Sequence, residues 1–171
     1  VGTISAYYGG VVDMLLMRIV EIFIAFPFLP AAMTLSAVLT PVMGRGLFPP
    51  MIALMVFGWT QFARLLRSDI LTVREREYVM AARVIGVRDM RIMFRHILPN
   101  AIFPTLVLVS MRIGSYVITF ATLSFLGIGA EVGYADWGRL LSFARDWMTQ
   151  LGDYWYIVVY PGVTLVLFVL S

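Results

Sequence analysis

Long apolar runs separated by short polar segments make up most of this chain. Four of these runs are long enough, or nearly so, for a helix of about 20 residues to cross a bilayer core. They are residues 22–43, 51–66, 100–128 and the stretch from Trp155 onward. Pro27, Pro30 and Pro104 lie inside the first and third runs and predict kinks of the kind that membrane helices tolerate. The pattern predicts an all-α integral membrane protein with about four transmembrane helices.

The polar segment over residues 68–99 stands out by its charge. Eight of the 13 arginines lie between Arg64 and Arg95, together with four acids, whereas residues 131–153 carry two arginines and four acids. Because short loops rich in basic residues stay on the cytoplasmic side, we predict that residues 68–99, named the arginine-rich loop, are cytoplasmic. Residues 129–154 are then predicted to form an extracytoplasmic loop, and the aromatic residues near it fit an interfacial belt.

Two short helices are predicted within the arginine-rich loop. Apolar residues recur at helical spacing at Tyr78, Ala81, Ala82 and Ile85, and again at Met90, Met93, Phe94 and Ile97. We expect Gly86 to end the first helix in left-handed geometry and Pro99 to stop the second. Such helices either insert into a groove on a partner protein or lie on the membrane surface with their arginines toward anionic lipid. The periodicity alone leaves both alternatives open.

The composition excludes several kinds of chemistry. The chain is 61% hydrophobic and 13% charged, with a mean hydropathy of +0.90, which is typical of membrane proteins. It has no cysteine, no lysine and one histidine, so it cannot build a disulfide, a thiol or lysine nucleophile, or a multi-histidine metal site. The net charge of +3 reflects the arginine-rich loop, so we expect no nucleic-acid partner. Val1 is not an initiator methionine and the last residues are still apolar, so we expect part of a longer protein.

One stretch of the arginine-rich loop resembles a known family. Met80-Ala81-Ala82, Gly86 and Leu98-Pro99 have the spacing of the EAA loop in the membrane subunits of binding-protein-dependent ABC importers. The family pattern is Glu-Ala-Ala, three residues, Gly, nine residues, Ile, one residue and Leu-Pro. Met80 stands in place of the glutamate and His96 in place of the isoleucine. The resemblance favours docking on an ATPase subunit over a surface-lying connector.

Further segments resemble the C-type permease subunit of the dipeptide, oligopeptide and nickel subfamily. They are Tyr7-Tyr8-Gly9-Gly10 with Asp13, Met17-Arg18, Ala25-Phe26-Pro27, Arg95 to Asn100, Leu123 to Gly129 and Asp136-Trp137-Gly138. The resemblance covers nearly the whole chain. It implies one transmembrane domain over residues 1–171, incomplete at both ends, with the fold of type I ABC importer permeases.

The resemblance also implies a function and partners. The chain would belong to a multi-pass permease of the inner (cytoplasmic) membrane that moves peptides or a related small solute. Its partners would be a second homologous permease subunit, two ABC ATPase subunits, an extracytoplasmic solute-binding protein and the lipid bilayer. ATP and Mg²⁺ would be bound by the ATPase subunits. We therefore expect no cofactor and no enzymatic activity in this chain, which has no phosphate-binding loop with a lysine.

Three sets of site residues are predicted on this basis. The residues expected to couple to the ATPase subunit are Tyr78, Met80, Ala81, Ala82, Ile85, Gly86, Met90, Met93, Phe94, Leu98 and Pro99. Arg112 would lie near the bilayer middle, where an unpaired arginine is costly, and either contacts substrate or pairs with an acid outside this chain. Asp136 and Trp137 would contact the binding protein. Arg18 and Glu21, three residues apart, are expected to pair.

Two other classes of protein compete with the importer. A secondary transporter or channel would need acids or ion-coordinating broken helices within the bilayer. A membrane scaffold would leave Arg112 and the proline-kinked runs without a role. Within the importer class, nickel and other solutes use the same permease scaffold, so the residues alone do not fix the substrate.

Overall fold

The chain folds into helices throughout the part that the structure describes. The computed structural model describes residues 1–129, 134, 136–147 and 151–170, apart from the side chains of residues 151–153. The helices are α1 Gly2–Tyr8, α2 Gly10–Ala25, α3 Phe28–Met43, α4 Phe48–Arg74, α5 Glu77–Val84, α6 Asp89–Arg91, α7 Leu98–Phe125, α8 Trp137–Arg145 and α9 Leu151–Leu170. A π-helical turn over Ile92–Ile97 joins α6 to α7. The prediction of an all-α protein is confirmed.

The first apolar run is broken rather than kinked. α2 ends at Ala25 and α3 begins at Phe28, and Phe26 between them is extended (φ −82°, ψ 130°). The cause is Pro27, because the proline ring disfavours helical geometry at the residue before it. Pro30 lies in the first turn of α3, where no backbone donor is needed.

Two other helices depart from the predicted runs. α4 is longer than the predicted span 51–66 and starts at Phe48, because Pro49 and Pro50 fit in its first turn. Pro99 was expected to stop a helix, and that prediction is wrong. The backbone N–H of Leu98 donates to the carbonyl of Met93, five residues back, so the π-helical turn passes directly into α7. Pro99 therefore lies in the first turn of α7, a position that tolerates proline.

In the part of the chain that the structure describes, fewer helices than the predicted four have the length and composition of a membrane span. Among the described residues, Asp89–Phe125 forms one helix of 37 residues that is long and apolar enough to cross. A second crossing is obtained if α2 and α3 together form one broken span, and Tyr154–Leu170 is apolar but shorter. α9 is interrupted at Tyr154 (φ −121°, ψ 22°), which leaves only this shorter apolar helix.

The chain divides into two compact units. The first comprises Val1–Phe26 and Gly58–Ser110, and the second comprises Pro27–Phe57 and Met111–Ser171. The core of the first unit is formed by Ala6, Tyr7, Ile70, Val79, Ala82, Ile92, Met93, Ile97 and Ala101. The core of the second is formed by Ala32, Ala53, Leu54 and Leu123, with Phe28 and Phe120 packed on it. The arginine-rich loop therefore belongs to the first unit and rests on its core.

Candidate functional site

Local signals fix both ends of α5, the first helix of the arginine-rich loop. Glu77 places a carboxylate in the first turn, where the helix macrodipole favours negative charge. At the other end Gly86 has φ +78°, and its N–H donates to the carbonyl of Arg83 at 3.0 Å. The next amide, that of Val87, donates to the carbonyl of Ala82 at 3.1 Å. These two bonds form a Schellman motif, so the prediction that Gly86 ends this helix is confirmed.

The inner side of the loop is part of the protein core. Val79 and Ala82 of α5 pack with Ile92, Met93 and Ile97 of the π-helical turn, and all five side chains are buried. Ala82 and Met93 were predicted to couple to an ATPase subunit, and that role stays a prediction. Both side chains are buried, so within this chain they hold the loop to its own unit.

The π-helical turn explains why Met93 is buried while its neighbours in the predicted pattern are exposed. The α-helical spacing of Met90, Met93, Phe94 and Ile97 predicted one common face. The turn bonds each amide to the carbonyl five residues back rather than four, which rotates the following residues. As a result Met93 and Ile97 point into the core, whereas Met90 and Phe94 remain 59% and 57% exposed.

The outer side of the loop carries the remaining apolar side chains. We name as the outer apolar face the exposed residues Tyr78, Met80, Ala81, Val84, Ile85, Met90 and Phe94. On the prediction that the arginine-rich loop is cytoplasmic, lipid would not cover these side chains, and an exposed apolar patch of this kind is typical of a binding surface. Val84 is the most exposed of them at 88% and was not predicted. Its position four residues after Met80 was the available signal.

The other predicted coupling residues lie at the edges of this face. Gly86 and Pro99 are exposed, and Leu98 is half-buried against the core of the first unit. Arg88, Arg91 and Arg95 are also exposed, and they are neighbours of Met90 and Phe94 in the sequence of α6 and the π-helical turn. An apolar patch with arginines among its neighbours is suited to bind a protein groove that is apolar and partly acidic.

Tyr7 of α1 attaches the loop to the rest of the first unit. Its hydroxyl donates to Oδ1 of Asp89 at 2.6 Å, and the guanidinium of Arg83 lies 5.4 Å from the centre of its ring. Burial, and then the hydrogen bond to Asp89, raise the pKa of the Tyr7 hydroxyl. Arg74 donates from Nη1 to the carbonyl of Ala6 at 2.7 Å and so fixes the end of α1.

A charged cleft of about 530 Å³ opens beside these contacts in the first unit. Its lining consists of Asp13, Met14, Met17, Arg18, Glu21, Arg64 and Arg67. Arg18 and Glu21 form the predicted ion pair at 3.0 Å, and both side chains are exposed. Asp13 is held by Arg67. Most charges of the cleft are therefore paired within the unit.

Arg112 lies in α7 and belongs to the second unit. Its side chain is half-buried, and it acts electrostatically on Tyr116, one helical turn further along. Among the residues that the structure describes, no carboxylate forms an ion pair with Arg112. Both roles of Arg112, contact with substrate and an ion pair with an acid outside this chain, stay predictions.

The Asp136-Trp137-Gly138 segment has a clear structural role. The carboxylate of Asp136 accepts a hydrogen bond from the N–H of Gly138 at 3.2 Å and caps α8. Trp137 packs on Phe168 of α9 with 5.3 Å between ring centres. A side chain at Gly138 would lie 1.9 Å from the carbonyl oxygen of Ala121, so only glycine fits. Contact of Asp136 and Trp137 with a binding protein stays a prediction, and residues 130–133, 135 and 148–150 of the 129–154 loop lie outside the described residues.

Comparison with known proteins identifies a family. The model of the family described as binding-protein-dependent transport system inner membrane component matches residues 1–171. The chain is 36% identical to the dipeptide transport system permease protein of Alkalihalophilus pseudofirmus over 170 residues, which are 99% of this chain and 54% of that protein.

Two further relatives carry a different substrate in their names. The glutathione transport system permease protein of Pectobacterium atrosepticum is 36% identical over 170 residues, covering 99% of this chain and 54% of the relative. That of Escherichia coli is 38% identical over 165 residues, covering 96% and 52%. The chain thus spans about half the length of the curated relatives it matches.

Proposed function

Because the chain belongs to the family of binding-protein-dependent transport system inner membrane components, we propose that it forms the core of an ABC importer permease for short peptides. The family match extends over residues 1–171, and the family is one of the inner membrane. The protein spans that membrane several times and provides the substrate path. It does not provide the energy, which comes from separate ATPase subunits.

The peptide substrate is supported by the relatives and by Arg112. The relatives are named for dipeptide and glutathione transport, and none of those named here is a nickel permease. Dipeptides and glutathione both carry free carboxylates. Arg112 is a half-buried cation without a carboxylate partner among the described residues. A substrate carboxylate would offset the cost of placing that charge at the middle of the bilayer.

The outer apolar face is the observation that carries the proposal. Six of its side chains, from Tyr78 to Phe94, are between 44% and 88% exposed on a loop whose inner side is buried in the core. An ATPase subunit with an apolar groove would cover them, as helices are commonly bound by partner proteins. Because the loop is packed on its own unit, a push on this face would move the helices α4 and α7 that the loop connects.

The complete importer needs partners on both sides of the membrane. Two ATPase subunits bind ATP and Mg²⁺ in the cytoplasm, and their closure moves the arginine-rich loop of each of two permease subunits. The permease pair alternates between inward-facing and outward-facing states, a rigid-body change of packed helices. An extracytoplasmic binding protein delivers the peptide to the side that carries residues 129–154.

The docking role is tested by co-purification of the full-length protein from mild detergent. Gly86→Val forces a branched side chain into left-handed geometry at φ +78°, although nothing lies within 4 Å of the added Cβ. Gly46→Val is the matched control, because its surroundings are equally open and its φ is not positive. We expect the wild type and Gly46→Val to retain an ATPase with a phosphate-binding loop, and Gly86→Val to lose it.

Two results would contradict the proposal. If no ATPase is recovered with the wild type under conditions that preserve the permease pair, the protein is not an importer subunit. If Gly86→Val retains the ATPase as well as Gly46→Val does, the arginine-rich loop is not the docking surface.

A further inference from the structure

Tyr7 is the point at which three helices meet. Its side chain is 7% exposed and lies in the last turn of α1. The hydroxyl bonds to Asp89, the first residue of α6, while the ring is covered by Arg83, which belongs to the last turn of α5. One side chain thus contacts the helix on each side of the Gly86 turn.

The backbone of Tyr7 is fixed independently of these contacts. Nη1 of Arg74, the last residue of α4, donates to the carbonyl of Ala6 at 2.7 Å and reaches that of Tyr7 at 3.4 Å. Both acceptors are carbonyls at the C-terminal end of α1, which lack partners in their own helix. Tyr7 is therefore attached to the end of α4 and does not follow α5 or α6 if either one tilts.

The turn between α5 and α6 packs on the core through Val87, but its other residues have little packing. Gly86 has nothing within 4 Å of the position where its side chain would begin, and Ile85 beside it is 79% exposed. The angle between the two helices is set by the buried contacts beneath them and by the bonds of Tyr7 at their ends. A hydrogen bond to a charged carboxylate contributes more than a neutral one.

We propose that Tyr7 is a positioning residue. Its hydroxyl fixes the angle between α5 and α6 and so aligns the two halves of the outer apolar face, which lie before and after the Gly86 turn. This inference rests on the proposed docking function. Met80 and Val84 lie on one helix and Met90 and Phe94 follow the turn, so a partner groove can hold both halves only at one angle. Asp89 is also the first residue of the continuous helix Asp89–Phe125. A change in the angle between α5 and α6 would therefore change how a displacement of α5 is transmitted to that helix.

The angle is measured by the distance between two spin labels in the assembled full-length transporter. Cysteines replace Glu77 on α5 and Arg91 on α6, which are both exposed and outside the outer apolar face. Residues 1–171 contain no cysteine, and any cysteine elsewhere in the assembled transporter is first replaced by serine. Tyr7→Phe keeps the ring over which Arg83 lies and removes only the hydroxyl. We expect it to widen the distance distribution about twofold, as the loss of one charge-assisted bond allows.

The matched control is the neighbouring tyrosine. Tyr8 is 51% exposed and its ring stands edge-on to that of Tyr7, with 5.3 Å between ring centres. Tyr8→Phe removes the same hydroxyl group from the same helix and is expected to leave the distribution unchanged. Asp89→Asn keeps an acceptor oxygen but loses the charge, so it should widen the distribution less than Tyr7→Phe does, whereas Asp89→Ala should reproduce Tyr7→Phe. Combining Tyr7→Phe with Asp89→Ala should add nothing further.

A second measurement separates positioning from simple folding. The rate of ATP hydrolysis by the assembled transporter is measured with and without the glutathione-loaded binding protein. The amount of ATPase retained by the permease is quantified in the same samples. We expect Tyr7→Phe to lower the stimulation about fivefold at equal retention of the ATPase. An unchanged distance distribution in Tyr7→Phe, or equal effects of Tyr7→Phe and Tyr8→Phe, would overturn the inference. Absence of the ATPase from the wild type would instead contradict the proposed function.

Discussion

Arg67 holds Asp13 through two parallel hydrogen bonds that join α4 to α2. Nε donates to Oδ1 at 2.6 Å and Nη2 donates to Oδ2, and the hydroxyl of Ser5 in α1 also donates to Oδ1. The two charged side chains are only 31% and 19% exposed. A planar guanidinium can donate two parallel hydrogen bonds to one carboxylate, a geometry that an ammonium group does not provide. The pair therefore fastens three helices of the first unit by shape as well as by charge.

Arg67→Lys tests whether that geometry matters. We expect the free energy of unfolding to fall by about 1–2 kcal/mol, because the charge remains and the second hydrogen bond is lost. The control is Arg64→Lys on the same helix, an exposed arginine for which the described residues show no ion pair. Thermal unfolding of the full-length protein in detergent gives both values. Equal losses for the two variants would show that the parallel hydrogen bonds are irrelevant.

Gly138 is a second contact that depends on shape. A Cβ there would meet the carbonyl oxygen of Ala121 at 1.9 Å and its carbonyl carbon at 2.7 Å, so backbone must move. We expect Gly138→Ala to destabilise the protein by about 2–3 kcal/mol. Gly162→Ala is the control in α9, where nothing lies within 4 Å and alanine should stabilise the helix by about 0.5–1 kcal/mol. Opposite shifts in unfolding temperature are the expected result, and equal shifts would contradict it.

Asp69, near the end of α4, is expected to make the stability of the protein depend on pH. Its Oδ2 is buried and has no hydrogen-bond partner in the described part of the chain, and burial raises the pKa of its carboxyl above the ordinary value. A carboxyl with a raised folded-state pKa binds a proton more tightly in the folded protein than in the unfolded chain. The folded state is therefore penalised as pH rises above about 3.9 and through the higher folded-state pKa.

Asp69→Asn should remove that penalty. We expect the variant to unfold about 2 °C higher than the wild type at pH 7.5, with the difference shrinking as the pH approaches 4. Glu75→Gln, at an exposed carboxylate on the loop after α4, is the control and should show no such trend. Unfolding temperatures at several pH values in one detergent decide the question. A difference that is constant across pH would mean that the carboxyl charge is not its cause.

Local signals in the sequence predicted the helices well and their junctions poorly. The glycine that ends α5 was predicted from the general preference of Gly86 for left-handed geometry, and the structure has it at φ +78°. Pro27 was expected to kink a helix and instead separates two. Pro99 was expected to stop one and does not, because a π-helical turn precedes it. Whether a helix bends, breaks or continues at proline depends on packing that spacing does not reveal.

The inside and outside of the arginine-rich loop were predictable only in part. Helical periodicity placed Met93 beside Phe94, but the wider turn buries Met93 and exposes Phe94. The attachment through Tyr7 and Asp89 joins residues 82 positions apart. The subfamily resemblance drew attention to the Tyr7-Tyr8 pair without giving a reason for it. The periodicity and charge pattern of the sequence do not indicate which distant residues bond to each other, so the structure was needed to find the hydrogen bond between Tyr7 and Asp89.

Val84 offers a test of the outer apolar face that leaves the fold alone. Its side chain is 88% exposed, so replacing it disturbs little packing within the protein. On the proposed docking function, Val84→Gln should weaken binding of the purified ATPase subunit about tenfold, the equivalent of one apolar side chain kept in water. Val84→Leu keeps an apolar side chain and should bind normally, and neither variant should change the unfolding temperature. If Val84→Gln binds the ATPase subunit normally, Val84 is not part of the docking surface.

Arg112 can be examined with pairs of substrates that differ in a single charge. If its guanidinium binds the carboxylate of a peptide, Arg112→Gln should reduce transport of a dipeptide about ten- to a hundredfold, the usual contribution of a hydrogen bond to a charged group. The C-terminal amide of the same dipeptide lacks that charge, so the wild type should transport it poorly and the variant no worse. Arg112→Lys keeps the cation and should recover part of the discrimination. A poorly assembled complex with unchanged substrate affinity would instead assign Arg112 to a structural ion pair with another segment, because a missing partner charge destabilises the assembly rather than substrate binding.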